Sequence, residues 1–146
     1  MLNKNFLYRK IKLIQKDLEG LEPLGEYTFD DFFENQVVYM AVERYLERIV
    51  TRALDINRHV IAEIGKGTED VKSYTDTFLR LGDLGVYPPA FSEQIAKSAG
   101  MRNMLVHDYD NVSPRIIYDS MHDALEQYPR YCQYFLTFLD ARKENQ

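Results

Sequence analysis

Residues 30–65 read DDFFENQVVYMAVERYLERIVTRALDINRHVIAEIG, and this stretch decides the fold. Apolar side chains recur at Val38, Val42, Tyr45, Ile49, Ala53, Ile56, Val60 and Ile64, the three-and-four spacing of one helix face. A second line, Val37, Ala41, Leu46, Val50, Leu54 and Ile61, widens the apolar arc, as expected of a helix covered on two sides. Asp30 and Asp31 offer N-caps, and Gly65 and Gly67 a stop. The expected element is a second helix of about 33 residues, roughly 50 Å long. That exceeds a small globule's radius, so it is the spine of a bundle or it projects into a partner.

The flanking segments repeat the helical period and show no strand pair. Leu7, Ile11, Ile14, Leu18 and Leu21 mark a first helix over about 4–20, ended near Gly20. Val71, Tyr74, Phe78 and Leu81 mark a third over about 70–81, with Thr68 as a possible cap and Gly82 and Gly85 as breakers. Pro88 and Pro89 open a fourth, about 89–106, and Ser113-Pro114 a last one running to about 141. Pro129 lies inside the last helix and is expected to kink or split it. The fold class is therefore all-α: an up-and-down bundle of about five helices in a single domain, residues 1–146.

Composition bounds the function. The chain has 146 residues, 45% hydrophobic and 28% charged, which is globular. One cysteine, Cys132, excludes an internal disulfide and a multi-cysteine zinc site, and it falls on the apolar line of the last helix as packing. No metal site is expected, and the thiol content suits a reducing, cytoplasmic setting. No apolar run reaches the roughly 18 residues of a membrane span. The net charge of −5 speaks against a general nucleic-acid binder.

That charge is uneven. Residues 1–16 carry Lys4, Arg9, Lys10, Lys12 and Lys16 and no acid. Such a segment can serve as a transit peptide or a membrane-surface helix, but its apolar stripe continues into the body of the chain, which favours a structural helix. Arg44, Arg48 and Arg52 form a row at i, i+4, i+8 on the long helix. The row is either a solvated face paired with Glu47 and Asp55 or a guide for a polyanion.

The fourth helix breaks the pattern. Its apolar line runs Phe91, Ile95, Ala99, then reaches Arg102 before Val106. A guanidinium on a core-facing line is costly unless it is paired, sits at a groove or awaits an anion. Ala96, Ser98, Ala99 and Gly100 would admit another backbone, so this face suits a helix–helix or subunit contact. His107 follows five residues after Arg102, about 140° round an ideal helix. The two converge only if the helix ends near His107, which the Asp110-Asn111 turn signal supports, or if a second subunit helps. An arginine and a histidine form a sensible phosphodiester-cleaving pair. One clamps phosphate and stabilises developing charge; the other moves protons near neutral pH. A histidine at a helix C-terminus is also an ordinary dipole partner.

The octapeptide Arg102-Asn103-Met104-Leu105-Val106-His107-Asp108-Tyr109 resembles the Arg-polar-x-x-x-His-x-Tyr signature of HEPN-domain proteins, and within them the HepT-like toxins of the bacterial MNT–HEPN toxin–antitoxin systems. The likeness covers nearly the whole chain and implies a HEPN-like bundle. It also implies a metal-independent endoribonuclease acting on tRNA or mRNA, working as a homodimer with its motifs facing across a cleft. On this resemblance Arg102 and His107 are the catalytic pair and Asn103 orients them. Tyr109 is the hydroxyl that a partner nucleotidyltransferase antitoxin modifies with AMP from ATP; no other cofactor is implied. Cleavage by the 2′-OH would leave a 2′,3′-cyclic phosphate and a 5′-OH. The alternative is a non-catalytic helical module that binds a nucleotide or a partner protein through the same residues. Asp108 either orients His107 or caps the turn. His59 and His122 read as structural histidines. The net charge then predicts weak nonspecific RNA binding with strong salt sensitivity, the +5 helix and the arginine row supplying a local positive groove.

Overall fold

The computed structural model describes residues 1–65 and 71–143. Six α-helices follow one another: α1 (Lys4–Leu21), α2 (Phe29–Glu34), α3 (Gln36–Ile64), α4 (Tyr74–Asp83), α5 (Pro89–His107) and α6 (Pro114–Lys143). Short 3-10 turns at Glu22–Glu26 and Tyr109–Asn111 complete them. Among the described residues there is no strand.

The first helix is structural. Asn3 caps it by accepting from the Phe6 amide at 3.1 Å, and Leu7, Ile11, Ile14, Leu18 and Leu21 are all buried. It runs antiparallel to α3: Lys10 meets Asp55, Asp17 meets Arg48 and Arg52, and Gly20 lies against Tyr45. A Cβ at Gly20 would collide with the Tyr45 ring and hydroxyl, so the glycine sets how closely the two helices approach. The basic residues Arg9, Lys12 and Lys16 occupy the exposed face.

The expected second helix is two helices. Thr28, not Asp30 or Asp31, caps the first piece by accepting from the Asp31 amide, and Asn35 separates the pieces with an extended backbone (φ −98, ψ 96). The Asn35 side chain then caps α3 through the Val38 amide at 3.2 Å. α3 is the spine, packing on α1, α4, α5 and α6 as well as on α2. Both of its apolar lines are buried along most of its length, but Val37 is 78% exposed, because the start of α3 is covered on one side only. α6 closes the core with Ile117, Met121, Tyr128, Cys132, Phe135 and Leu139. It is not split: the helix runs unbroken across Pro129, whose ring lies on the exposed face. There the carbonyl that loses its amide partner can be solvated.

The third expected helix begins later than its periodicity suggests. Ser73 caps α4 through the Asp76 amide at 3.2 Å, and Thr68 lies outside the described residues. α4 and α5 form a tight helical hairpin; Gly85, at φ +82, supplies the turn that only glycine adopts without strain. The small residues of α5 are divided. Ala96 and Ala99 are buried and Ser98 bonds the Tyr128 hydroxyl at 2.7 Å, a contact within the chain, whereas Gly100 faces open space.

Candidate functional site

α5 carries the motif, and its core line departs from the expected one towards its C-terminal end. After Phe91, Ile95 and Ala99 the buried positions are Met101 and Leu105, one place short of Arg102 and Val106. Arg102 is therefore at the rim of the core, half-buried, and Val106 is 38% exposed. The cost of burying a guanidinium is avoided by this displacement.

Neutral groups hold Arg102. Its Nε donates to Thr51 Oγ1 on α3 at 3.2 Å, and its Nη1 reaches Asn103 Oδ1 at 3.4 Å. Its Cζ stands 5.5 Å from the centre of the Tyr74 ring on α4. No carboxylate pairs with it among the described residues. An arginine oriented by a hydroxyl, an amide and a ring keeps its positive charge available for an incoming anion. Thr51 and Tyr74 were not legible as members of this cluster from their own sequence surroundings.

His107 is the last residue of α5, and the helix ends there as the turn signal required. Asp108 leaves helical geometry (φ −152, ψ 41), and its amide caps the helix on the Met104 carbonyl at 2.8 Å. Its carboxylate accepts from Asn111 Nδ2 at 2.7 Å, a bond within the turn. Asn103 accepts from Arg102 and lies one turn before His107, to which it makes no hydrogen bond. His107 and Tyr109 are exposed, Tyr109 at 62%, and neither side chain has a hydrogen-bond partner among the described residues. Within one chain no bond joins Arg102 to His107.

The arginine row has a different partner from the expected one. Arg52 donates to Asp17 Oδ2 at 2.6 Å and to the Leu13 carbonyl at 3.2 Å, and Arg48 meets Asp17 Oδ1 at 3.2 Å. Only Arg44 pairs along its own helix, with Glu47 at 3.3 Å. Asp55 is taken by Lys10 and Arg58 instead. The row thus clamps α1 to α3, and Arg44 remains its most exposed member. His59 accepts from the Asn3 amide at 3.0 Å, and His122 lies 3.1 Å from the carbonyls of both Tyr118 and Gly25; both are structural, as expected. Among the described residues no three His, Cys, Asp or Glu side chains gather as a metal would require, and no helix is long and apolar enough to cross a membrane.

An all-α bundle whose fifth helix ends in Arg-x4-His, with an exposed tyrosine two residues beyond, defines a HEPN-like protein. The chain belongs to the ribonuclease HepT-like family, whose model matches residues 14–135. It is similar to the tRNA nuclease HepT of Aphanizomenon flos-aquae (strain 2012/KM1/D3), with 33% identity over 137 residues, 92% of this chain and 90% of that protein. Its fold is that of the tri-AMPylated Shewanella oneidensis HEPN toxin, solved in complex with MNT antitoxin: TM-score 0.79 at 20% identity, over 94% of this chain and 99% of that one. YutE, a cytosolic protein of unknown function from Bacillus subtilis, shares it too, with TM-score 0.81 at 15% identity over 97% and 93% of the two chains.

Proposed function

We propose that this chain is the toxin of a toxin–antitoxin pair, a metal-independent endoribonuclease that cleaves tRNA and is silenced by AMP on Tyr109. The observation that carries this reading is Arg102: a cation without a counter-ion among the described residues, aimed by neutral groups, five residues before an exposed histidine at a helix end. Arg102 binds the scissile phosphate and the charge that grows on it in the transition state. His107 takes the proton from the 2′-OH, and O2′ attacks phosphorus. The bond from phosphorus to the 5′-oxygen breaks, and that oxygen receives a proton from the partner subunit's His107. The products are a 2′,3′-cyclic phosphate and a 5′-OH.

A homodimer supplies the second imidazole and explains why one chain leaves Arg102 and His107 unjoined. Exposed apolar side chains support such an interface: Phe33 on α2, Val37 and Met40 on α3, Val106 on α5 and Ile116 on α6. The switch follows from exposure. The Tyr109 oxygen attacks the α-phosphorus of ATP on a partner nucleotidyltransferase, pyrophosphate leaves, and the phenolic proton passes to solvent. The adduct places negative charge and a nucleoside near Arg102, where they compete with RNA. Identity to a tRNA nuclease over most of the chain supports tRNA as the substrate class.

Incubation of the purified protein with total tRNA tests the proposal. Arg102→Ala and His107→Ala are expected to cut at least about 100-fold more slowly, the range of lost electrostatic or acid–base assistance. His107→Ala cutting at the wild-type rate overturns it.

A further inference from the structure

Beside Arg102 lies a groove that the proposed chemistry leaves unused. It has a volume of about 510 Å³, and its walls include Arg58, Lys72, Ser73, Tyr74, Thr77 and Asn103. Clefts that hold small ligands run from ~300 to 1,000 Å³. No acidic side chain lines it among the described residues. The Tyr74 ring has Arg102 on one approach, 5.5 Å from Cζ to ring centre, and Arg58 on another, at 5.7 Å. A guanidinium packed flat on a ring would lie at about 3.5–4 Å, so neither arginine is pressed against it.

The backbone that carries the ring is held from behind. The Tyr74 carbonyl accepts from Thr77 Oγ1 at 2.7 Å, and Thr77 Oγ1 accepts from Asn57 Nδ2 at 3.1 Å. Asn57 Oδ1 in turn accepts from the buried Tyr131 hydroxyl at 2.7 Å. This chain of fully satisfied polar groups fixes the start of α4 to the core, which is what a binding platform needs. Arg58, by contrast, is 56% exposed, and its carboxylate partner Asp55 is shared with Lys10.

We propose that this groove is a nucleotide subsite of the RNA site. An unpaired base stacks on Tyr74, Arg58 takes the adjoining phosphate, and Arg102 links the ring to the scissile phosphate. Stacking on an aromatic ring requires a base free of its helix, so the subsite selects cleavage beside an unpaired nucleotide. The inference rests on the RNA-cleavage reading.

Two probes test it: a short 2′-O-methyl RNA strand, which lacks the attacking hydroxyl, and inorganic polyphosphate, which has charge and no bases. Tyr74→Ala is expected to weaken strand binding about tenfold while changing polyphosphate binding little. Tyr74→Phe keeps the ring and is expected to bind the strand as wild type does. Arg58→Ala should weaken both probes and lower the salt slope of binding by about one. Wild-type affinity for the strand in Tyr74→Ala overturns the subsite, and so does an equal loss on both probes, which would make Tyr74 only a prop for Arg102. Should Tyr74→Ala fail to fold, the surface variant Arg58→Glu decides: unchanged strand affinity overturns the proposal. If RNA is bound and cut in a His107-dependent way while these variants have no effect, the subsite alone falls. If wild type binds neither probe and cuts nothing, the cleavage reading falls with it.

Discussion

Arg102 on α5 is tethered to Thr51 on α3 by a single hydrogen bond of 3.2 Å from its charged Nε–H to the uncharged Oγ1. The arginine is thereby aimed by a helix other than its own, and among the described residues no counter-ion masks it. Loss of a hydrogen bond from a charged donor is worth about 1.5 kcal/mol at the weak end of its range, or roughly tenfold in rate. Thr51→Val is therefore expected to slow single-turnover RNA cleavage about tenfold, and Thr51→Ser to restore it. A Thr51→Val protein as fast as wild type would show that the tether is idle.

Tyr109 has no hydrogen-bond partner among the described residues, so its hydroxyl holds nothing in place. Tyr109→Phe should melt within about 0.5 kcal/mol of wild type. It should cleave RNA and gain no AMP when incubated with ATP and the partner nucleotidyltransferase. Intact-mass measurement reads the outcome; an AMP increment on the variant would place the modification elsewhere.

Asp17 is 4% exposed and answers two arginines at once. Asp17→Ala would leave Arg52 half-buried and unpaired, at a cost of about 2 kcal/mol in denaturant unfolding, discounted for the exposure of Arg48. Arg52→Ala should cost a similar amount, and the double variant less than the sum of the two. Arg44→Ala, on a surface pair, should cost little. Additive losses for Asp17 and Arg52 would mean that the bond does not hold the helices together.

Burial pushes the Cys132 thiol up to about 12. The thiolate is the reactive form, and at pH 8 it would make up about one part in ten thousand of the native protein. A thiol reagent should therefore label the protein only as it unfolds. An unfolded thiol ionises near pH 8.5. Any stability linked to this group is thus present below about pH 8.5 and is lost as the pH rises from there towards 12. Rapid stoichiometric labelling of the native protein would contradict this burial.

Much of the bundle was readable because its stripes are long. Leu7 to Leu21 and Ile117 to Leu139 bury as their spacing requires. The break at Asn35 was hidden because apolar residues continue through it, and Asp30 and Asp31 offered an equally good cap signal. In α5 the buried positions shift from Phe91, Ile95 and Ala99 to Met101 and Leu105 on another side of the helix, so Arg102 and Val106, which ideal geometry keeps within the first arc, lie at the rim. The motif itself was legible as local sequence. Its supports were not, because Thr51 and Tyr74 come from other helices, and the Asp17 clamp joins residues 31 and 35 positions apart.

Tyr109 stands on the short turn that follows α5, outside everything the core needs. A group joined to its oxygen is added to a finished molecule. Under the proposed switch, armed and silenced forms would therefore differ by timing and not by architecture. Each new chain would then fold first and be modified second, leaving an interval between the two events in which it is active.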